Sequence, residues 1–263
     1  MIDNTDEYIF LQKNRALGTL PDMGCAIRVS DLINERVGIK DGEKVEVNIL
    51  DVGCATGHFY RTFIRQGLGI SNYTGLEIDS GMVKAAKEVW SGEVKEGKVG
   101  FINEDIEKFY DDRKFDFVIC INAFMYFTSI EEVLRKLMRM TRFHLIIRSY
   151  FTDSNYRIIR AQTKQNHDKA MLHEIDVFDE QGNMLCYDFW NIYSHTYIES
   201  LVKKIDPSAR IEWIEDNNII TSIEEEANLG ISKRGATEIF GGHEISYPFF
   251  LPWKYLVVTY SHG

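Results

Sequence analysis

The sequence of 263 residues predicts an α/β protein built on an open, doubly wound, mostly parallel sheet. Between residues 45 and 151, short apolar runs alternate with segments of helical periodicity. The apolar runs are continuous, which is typical of parallel strands that are covered by helices on both faces. The first run ends in a glycine-containing turn, and sheets of this class bind ligands beyond the carboxyl ends of their strands.

The predicted elements follow one another in a regular order. Residues 7–17 and 26–38 have apolar residues at helical spacing and form a helical lead-in, 1–44. Five strands are predicted, at "VEVNILDVG", "NYTGLEI", "VGFINED", "FDFVICINA" and "FHLIIRSYF". The segments "HFYRTFIRQGL", "SGMVKAAKEVW" and "SIEEVLRKLMRMT" are the helices between them, and Asp79 or Ser80 can cap the second.

The pattern changes beyond residue 151. "AMLHEIDVF" and "MLCYDFWNIY" flank a glycine-containing turn and predict a β-hairpin inserted over the sheet. "SHTYIESLVKKI" predicts a helix capped by Ser194, and "RIEWIED" and "KYLVVTY" predict two closing strands. The connection between these strands, 217–252, is rich in glycine and polar residues, so we expect a functional lid or a disordered loop.

Composition excludes several classes of protein. The formal net charge of −10 argues against broad electrostatic binding to nucleic acid or to an anionic membrane, because both need a basic surface. The four cysteines form no CxxC pair, which favours buried, reduced thiols. The amino terminus lacks the features of a secretory signal, and no apolar run approaches the roughly 20 residues that span a bilayer. The sequence therefore predicts a cytoplasmic protein.

The turn in "NILDVGCATGHFYR" admits three interpretations. A P-loop needs a lysine after its second glycine, but Gly57 is followed by His58. A dinucleotide fingerprint needs a third glycine, which this turn lacks. A plain strand-to-helix turn explains one glycine but leaves the acidic residues after later strands, Glu77 and Asp105, as coincidence.

Taken together, these segments resemble the class I S-adenosylmethionine-dependent methyltransferases. "ILDVGCATG" is similar to their first motif, "YTGLEIDSGMV" to their second strand, "FINEDIEKF" to the segment near the adenine, and "FDFVICINAFMYF" to their fourth strand. The resemblance covers residues 45–151 in the right order. It implies a Rossmann-like methyltransferase fold with an antiparallel last strand, as one domain, 1–263, in which 152–263 supplies acceptor-cap insertions and closing strands.

The resemblance also implies the residues that bind the cofactor, S-adenosylmethionine, and its product, S-adenosylhomocysteine. Asp51 would face the ammonium group of the cofactor, and Gly53 would let the backbone approach its methionyl part. Glu77 would accept hydrogen bonds from both ribose hydroxyls, and Asp105 would meet the adenine amino edge. The complete predicted set is Asp51, Gly53, Cys54, Gly57, Glu77, Ile78, Met82, Asp105, Ile106 and Asn122, with Ile78, Met82 and Ile106 sandwiching the ring.

The sequence identifies residues for the methyl acceptor less specifically than residues for the cofactor. His167, His173 and Tyr126 are candidates for a catalytic base or an acceptor contact, although each histidine is individually more typical of a surface or hydrogen-bonded residue. Basic residues at the end of the fifth strand and at helical spacing after it form either a solvated face or a clamp for an anionic acceptor; they are Arg148, Arg157 and Arg160.

We therefore predict methyl transfer to a small anionic or hydroxylated metabolite, most favourably at oxygen, for example on a sugar, a nucleotide-linked precursor or a surface-glycan precursor. Binding of a metal, nucleic acid or membrane is not expected, and the protein is expected to be a monomer or a homodimer. Two rival functions remain open at this stage. One is a nicotinamide-dependent oxidoreductase, and the other is a cofactor-binding partner subunit without catalysis.

Overall fold

The computed structural model describes residues 6–37, 45–161, 181, 187–216, 237–240, 243–246, 249–250 and 253–260. The helices are α1 Asp6–Leu17, α2 Gly24–Val37, α3 His58–Arg65, α4 Ser80–Val89, α5 Ser91–Lys95, α6 Ile130–Met140 and α7 His195–Ile205, with a 3-10 turn at Phe124–Tyr126. The strands are β1 Glu46–Val52, β2 Gly69–Glu77, β3 Val99–Asn103, β4 Phe115–Ile121, β5 Thr141–Thr152, β6 Tyr156–Ala161, β7 Tyr187–Ser194, β8 Arg210–Glu215, β9 Thr237–Phe240, β10 His243–Ser246, β11 Phe249–Phe250 and β12 Trp253–Thr259.

The main sheet has the strand order β3-β2-β1-β4-β5-β12-β8. Neighbouring strands from β3 to β5 are parallel, whereas β12 is antiparallel to both β5 and β8. The predicted α/β fold with an antiparallel last strand is therefore confirmed. Because β1 pairs with β2 on one side and with β4 on the other, the chain reverses its winding between β1 and β4. A crevice at such a switch point is where open α/β sheets bind ligands.

Continuous apolar strands explain why helices cover both faces of this sheet. Alternate residues of β1 point to opposite faces, so that Ile49 joins one hydrophobic cluster and Leu50 joins the other. Two predicted caps hold helices at the edge of the sheet. The Asp79 carboxylate accepts a hydrogen bond from the Met82 backbone N–H, and the Ser194 hydroxyl accepts one from the Tyr197 N–H.

The carboxyl-terminal part differs from the expectation in two places. Residues 156–161 form the strand β6, so Arg157 and Arg160 do not share a helix face, as their helical spacing had suggested. This strand pairs antiparallel with β7, which is the second arm of the predicted hairpin; the predicted first arm lies outside the described residues. Within 217–252, the described residues form the three-stranded antiparallel sheet β11-β10-β9. Among the described residues, no helix is both long enough and apolar enough to cross a membrane.

Candidate cofactor site

The candidate site lies at the carboxyl edge of the sheet, where the loops after β1, β2 and β4 meet at the switch point. The loop after β1 has a left-handed backbone at Gly53, Ala55 and Gly57, with φ values of 80°, 49° and 70°. The Gly53 N–H donates a hydrogen bond to the Leu76 carbonyl oxygen at 2.8 Å, which ties this loop to the end of β2. The sequence supplies glycine at two of these positions because the left-handed region costs glycine nothing.

Gly53 leaves bare backbone at this edge. A Cβ atom on Gly53 would lie 2.7 Å from the Cβ of Ala123, so the loops after β1 and β4 approach each other closely here. Gly53 is nevertheless exposed, whereas Asp51 and Val52 before it are buried. Gly53 therefore exposes its backbone at this edge of the sheet, and there is no room for a side chain between it and Ala123.

Glu77 ends β2 beside this loop. One of its carboxylate oxygens accepts a hydrogen bond from the Ala55 N–H at 2.9 Å, and the other accepts one from the Asp79 N–H at 3.0 Å. The residue is only 9% exposed, and burial raises the pKa of Glu77 although these N–H groups oppose the shift. The next residue, Ile78, is 56% exposed, so an apolar surface stands directly beside a fixed carboxylate.

Asp51 is a second buried carboxylate at the site. It accepts a hydrogen bond from the Tyr73 hydroxyl at 2.5 Å. Burial raises the pKa of Asp51 to about 7; the bond from Tyr73 opposes the shift, and the neighbouring charge of Glu77 adds to it. The adjacent Cys54 is buried as well, and burial raises the pKa of its thiol, which keeps it neutral at physiological pH.

The residues predicted to contact the adenine differ in how far they are exposed. Asp105 follows β3, and its carboxylate accepts a hydrogen bond from the Glu107 N–H at 2.9 Å, which closes the turn. Met82 and Ile106 are 1% and 5% exposed, so they pack mainly in the core. Of the three residues predicted to sandwich the ring, Ile78 offers most of the accessible surface.

Asn122 follows β4 and has a left-handed backbone with φ 61°, which is uncommon for a residue with a side chain. Its side-chain oxygen accepts a hydrogen bond from Arg148, and its side-chain nitrogen lies 3.9 Å from the Cys25 sulfur. Its backbone N–H donates to the Arg148 carbonyl oxygen at 3.0 Å. Asn122 therefore shapes the loop after β4 through contacts with β5 and α2.

The predicted anion clamp is arranged differently from the expectation. Arg148 lies within β5 and forms an ion pair with Asp216 at 2.5 Å, while its guanidinium carbon is 3.8 Å from the centre of the Trp253 ring. Arg157 lies on β6 and donates to the Asn191 side-chain oxygen at 2.7 Å. Arg160 is on the same strand, but its side chain lies outside the described residues.

Of the three predicted catalytic candidates, the structure describes Tyr126 alone. Tyr126 lies in the 3-10 turn after β4, and its hydroxyl accepts a hydrogen bond from the Trp190 indole at 3.2 Å. His167 and His173 lie outside the described residues. No cluster of three or more residues with metal-ligating side chains occurs in the part of the chain that the structure describes.

Two features of the site were missed in the sequence. Helix α1 contacts the loop after β1, because the Thr56 hydroxyl donates to the Gln12 carbonyl oxygen at 2.7 Å. Asp216 contributes the buried partner of Arg148, with a side chain that is only 2% exposed. Its position as the last residue of the predicted strand "RIEWIED" was the available signal, since polar residues at strand ends gather at the ligand edge.

The donor set fits a cationic ligand that carries a diol. Two buried carboxylates, on Asp51 and Glu77, lie near the carboxyl ends of β1 and β2, beside the exposed backbone of Gly53. A carboxylate can bind a diol in two hydrogen bonds, and buried negative charge favours a cation over a pyrophosphate. S-adenosylmethionine has a ribose diol, an ammonium group and a sulfonium, so the residues present fit this cofactor.

The fold and the loops at the carboxyl edge of the sheet are those that the resemblance to the class I methyltransferases implied. Residues 49–143 match the family model described as "Methyltransferase domain". This match confirms the S-adenosylmethionine-dependent methyltransferase domain that the sequence motifs predicted.

Proteins that share part of this sequence or the same fold are named for different activities. A malonyl-[acyl-carrier protein] O-methyltransferase of Priestia megaterium is 29% identical over 97 residues, which are 37% of this chain and 34% of that protein. The chain therefore spans about a third of the length of this relative. The fold is shared with a methyltransferase structure solved as a complex with the Haloferax volcanii Trm112 methyltransferase activator, at 15% identity, 99% coverage of both chains and a TM-score of 0.57. It is also shared with the [4+2]-cyclase SpnF, at 16% identity, coverage of 90% and 81%, and a TM-score of 0.54.

Proposed function

We propose that this protein binds S-adenosylmethionine and transfers its methyl group to an oxygen atom of a small hydroxylated or anionic acceptor. The observation that carries the proposal is the pairing of Glu77, a carboxylate fixed by two backbone N–H groups, with the exposed left-handed backbone at Gly53. When bound, the cofactor supplies a methyl group that is activated by attachment to a positively charged sulfur.

The residues of the chain bind and align the cofactor in this proposal. Glu77 accepts hydrogen bonds from the ribose, with Ile78 against the adenine side and Asp105 beyond it. Asp51 provides negative charge near the ammonium group, and Gly53 allows the methionyl chain to pass. Since methyl transfer is an in-line displacement, holding donor and acceptor in register accounts for much of the rate.

The acceptor lies on the β4 and β5 side of the cofactor in this proposal, near Tyr126. Support for an oxygen acceptor comes from the curated relatives, whose names describe them as malonyl-[acyl-carrier protein] O-methyltransferases. A carboxylate acceptor needs no base, whereas a hydroxyl acceptor does. His167 and His173 remain the proposed candidates for such a base, and Arg157 and Arg160 are the proposed candidates for acceptor recognition, since Arg148 is buried against Asp216.

Calorimetry with S-adenosylmethionine, S-adenosylhomocysteine and NADH tests the cofactor. We expect both adenosyl sulfur compounds to bind and NADH to bind at least tenfold more weakly. Tighter binding of NADH would instead favour a nicotinamide-dependent oxidoreductase.

A panel of hydroxy acids, dicarboxylates, sugars and acyl-carrier-protein thioesters then tests the acceptor, with mass spectrometry to detect a gain of one methylene in mass. A methyl ester or methyl ether product supports the proposal. Tight cofactor binding without transfer to any member of the panel would favour a partner subunit or, as in the related fold of SpnF, a different reaction.

A further inference from the structure

Arg148 is the centre of a buried polar network at the carboxyl edge of the sheet. Its side chain is 7% exposed, and it forms an ion pair with Asp216, whose side chain is 2% exposed. Two contacts join them, from Arg148 Nε at 2.6 Å and from Nη2 at 2.5 Å. The ring of Trp253 covers the guanidinium at 3.8 Å. A planar guanidinium that is bound by a carboxylate and covered by a ring has little capacity left for an acceptor.

The same guanidinium also holds the loop after β4. Arg148 Nη1 donates to the side-chain oxygen of Asn122, the residue with the left-handed backbone. The next residue, Ala123, is the one that would contact a Cβ on Gly53. Arg148 therefore contacts Asn122, which directly precedes the residue that lines the crevice between β1 and β4.

If the proposed function is correct, the assigned residues set where the parts of the cofactor would lie. Glu77 on β2 would hold the ribose, and Gly53 on β1 would allow the methionyl part to pass. The sulfonium would then lie near the crevice between β1 and β4, on the side of Ala123 and Asn122. A cationic guanidinium close to this point would repel the cationic sulfur unless a negative charge balanced it.

Asp216 is that negative charge among the described residues. Cys25 also contacts the network, but burial raises the pKa of its thiol, so it stays neutral near pH 7. We propose that Asp216 neutralises Arg148, so that the loop after β4 presents no net positive charge to the sulfonium of the methyl donor. Arg148 is then a positioning residue for Asn122, and the acceptor does not bind to it.

The proposal rests on the proposed function and predicts a change that simple loss of structure does not produce. S-adenosylmethionine and S-adenosylhomocysteine share every group except the charged methyl-sulfonium centre. The ratio of their dissociation constants therefore reports the electrostatic potential at the sulfur. At the effective dielectric constants of partly buried sites, one uncompensated charge near the sulfur should change this ratio about fivefold to thirtyfold.

The experiment measures both dissociation constants by calorimetry for five proteins, at pH 7.5 and moderate salt. In Asp216→Asn, Arg148 loses its counter-charge, and the ratio of the S-adenosylmethionine constant to the S-adenosylhomocysteine constant should rise. In Arg148→Met, the positive charge beside Asp216 is removed, and the ratio should fall. Asp216→Glu should keep the wild-type ratio, because it keeps the charge.

The fifth protein is the control, Asp116→Asn. Asp116 forms an ion pair with Arg142 at 3.1 Å. It belongs to the same sheet but lies at the amino end of β4, away from the candidate cofactor site. This variant should lose stability without a change in the ratio. If Asp216→Asn does not fold, Arg148→Met alone still carries the test through the opposite sign of its effect.

Opposite shifts in Asp216→Asn and Arg148→Met support the inference. Equal ratios in all variants, or shifts of the same sign in these two, would overturn it while leaving the proposed function intact. Absence of binding of either compound to the wild-type protein would overturn the proposed function, and this inference with it.

Discussion

Replacing Glu77 with glutamine should weaken the binding of S-adenosylhomocysteine and also lower the stability of the protein. Glu77 accepts hydrogen bonds from the N–H groups of Ala55 and Asp79, and in the proposed complex it accepts two more from the ribose. Glutamine has nearly the same size, but only one of its two terminal atoms can accept. The substitution therefore removes charge and one acceptor without opening a cavity.

The magnitude follows from the number of bonds that are lost. A hydrogen bond to a charged group contributes about 1.5–3 kcal/mol, and a neutral one contributes about 1 kcal/mol. Losing one charged bond to the ribose and weakening the other should cost about 1–3 kcal/mol, which corresponds to a dissociation constant raised about fivefold to 150-fold. Without ligand, one backbone N–H loses its partner, which should lower the free energy of unfolding by about 1–3 kcal/mol.

Calorimetry with S-adenosylhomocysteine gives the affinity, and urea denaturation gives the stability. Glu132→Gln is the matched control, because Glu132 is exposed on α6, away from the carboxyl edge of β2. We expect that variant to retain both wild-type values. A folded Glu77→Gln protein with wild-type affinity would show that Glu77 does not bind the ribose, and the placement of the cofactor would have to be abandoned.

Three further predictions concern Asp51, Gly53 and Asn191. Since burial raises the pKa of Asp51 to about 7, its ionisation opposes folding, so the free energy of unfolding should fall as the pH rises from about 4 to 7. Urea titrations should show a smaller fall in Asp51→Asn, and an equal fall would count against the raised pKa. Gly53→Ala should raise the cofactor dissociation constant. It should also lower the free energy of unfolding by more than the roughly 1–2 kcal/mol that a positive φ costs, because its Cβ would meet Ala123, whereas Gly67→Ala, with φ 78° and open space, should cost only that amount. Equal free energies of unfolding for the two variants would refute the close approach. Asn191→Ala removes the donors to the carbonyl oxygens of residues 125 and 127 and should lower the free energy of unfolding by about 2–4 kcal/mol in urea denaturation. A loss below about 0.5 kcal/mol would argue against a role for Asn191 in anchoring β7 to the loop after β4.

The sequence was most informative where one local pattern has one structural outcome. The apolar run before Gly53 predicts a buried strand, and the glycine predicts the left-handed turn that the structure has. Asp79 and Ser194 were predicted as helix caps because a short polar side chain before a helix can bind its free N–H groups, and both do so. These features depend on residues a few positions apart, so the sequence contains them directly.

The basic residues after β5 show the limit of such reasoning. Their spacing suggested one basic helix face, but residues 156–161 pair with β7 instead. Strand pairing depends on a partner far along the chain, and no periodicity within the segment reports that partner. For the same reason, the sequence suggested that Arg148 belongs to a solvated basic face or to an anion clamp, although the residue is buried.

The sequence by itself determined the class of fold, the order of its strands along the chain, and which glycine and acidic residues are candidates for the cofactor site. Only the tertiary structure decided how charge is balanced there. It brought Asp216 and Trp253, which flank a long connection, onto the guanidinium of Arg148, and Tyr73 onto Asp51. Burial and ion pairing arise between residues that are distant in sequence. They decide whether a charged side chain faces a ligand or is neutralised within the protein.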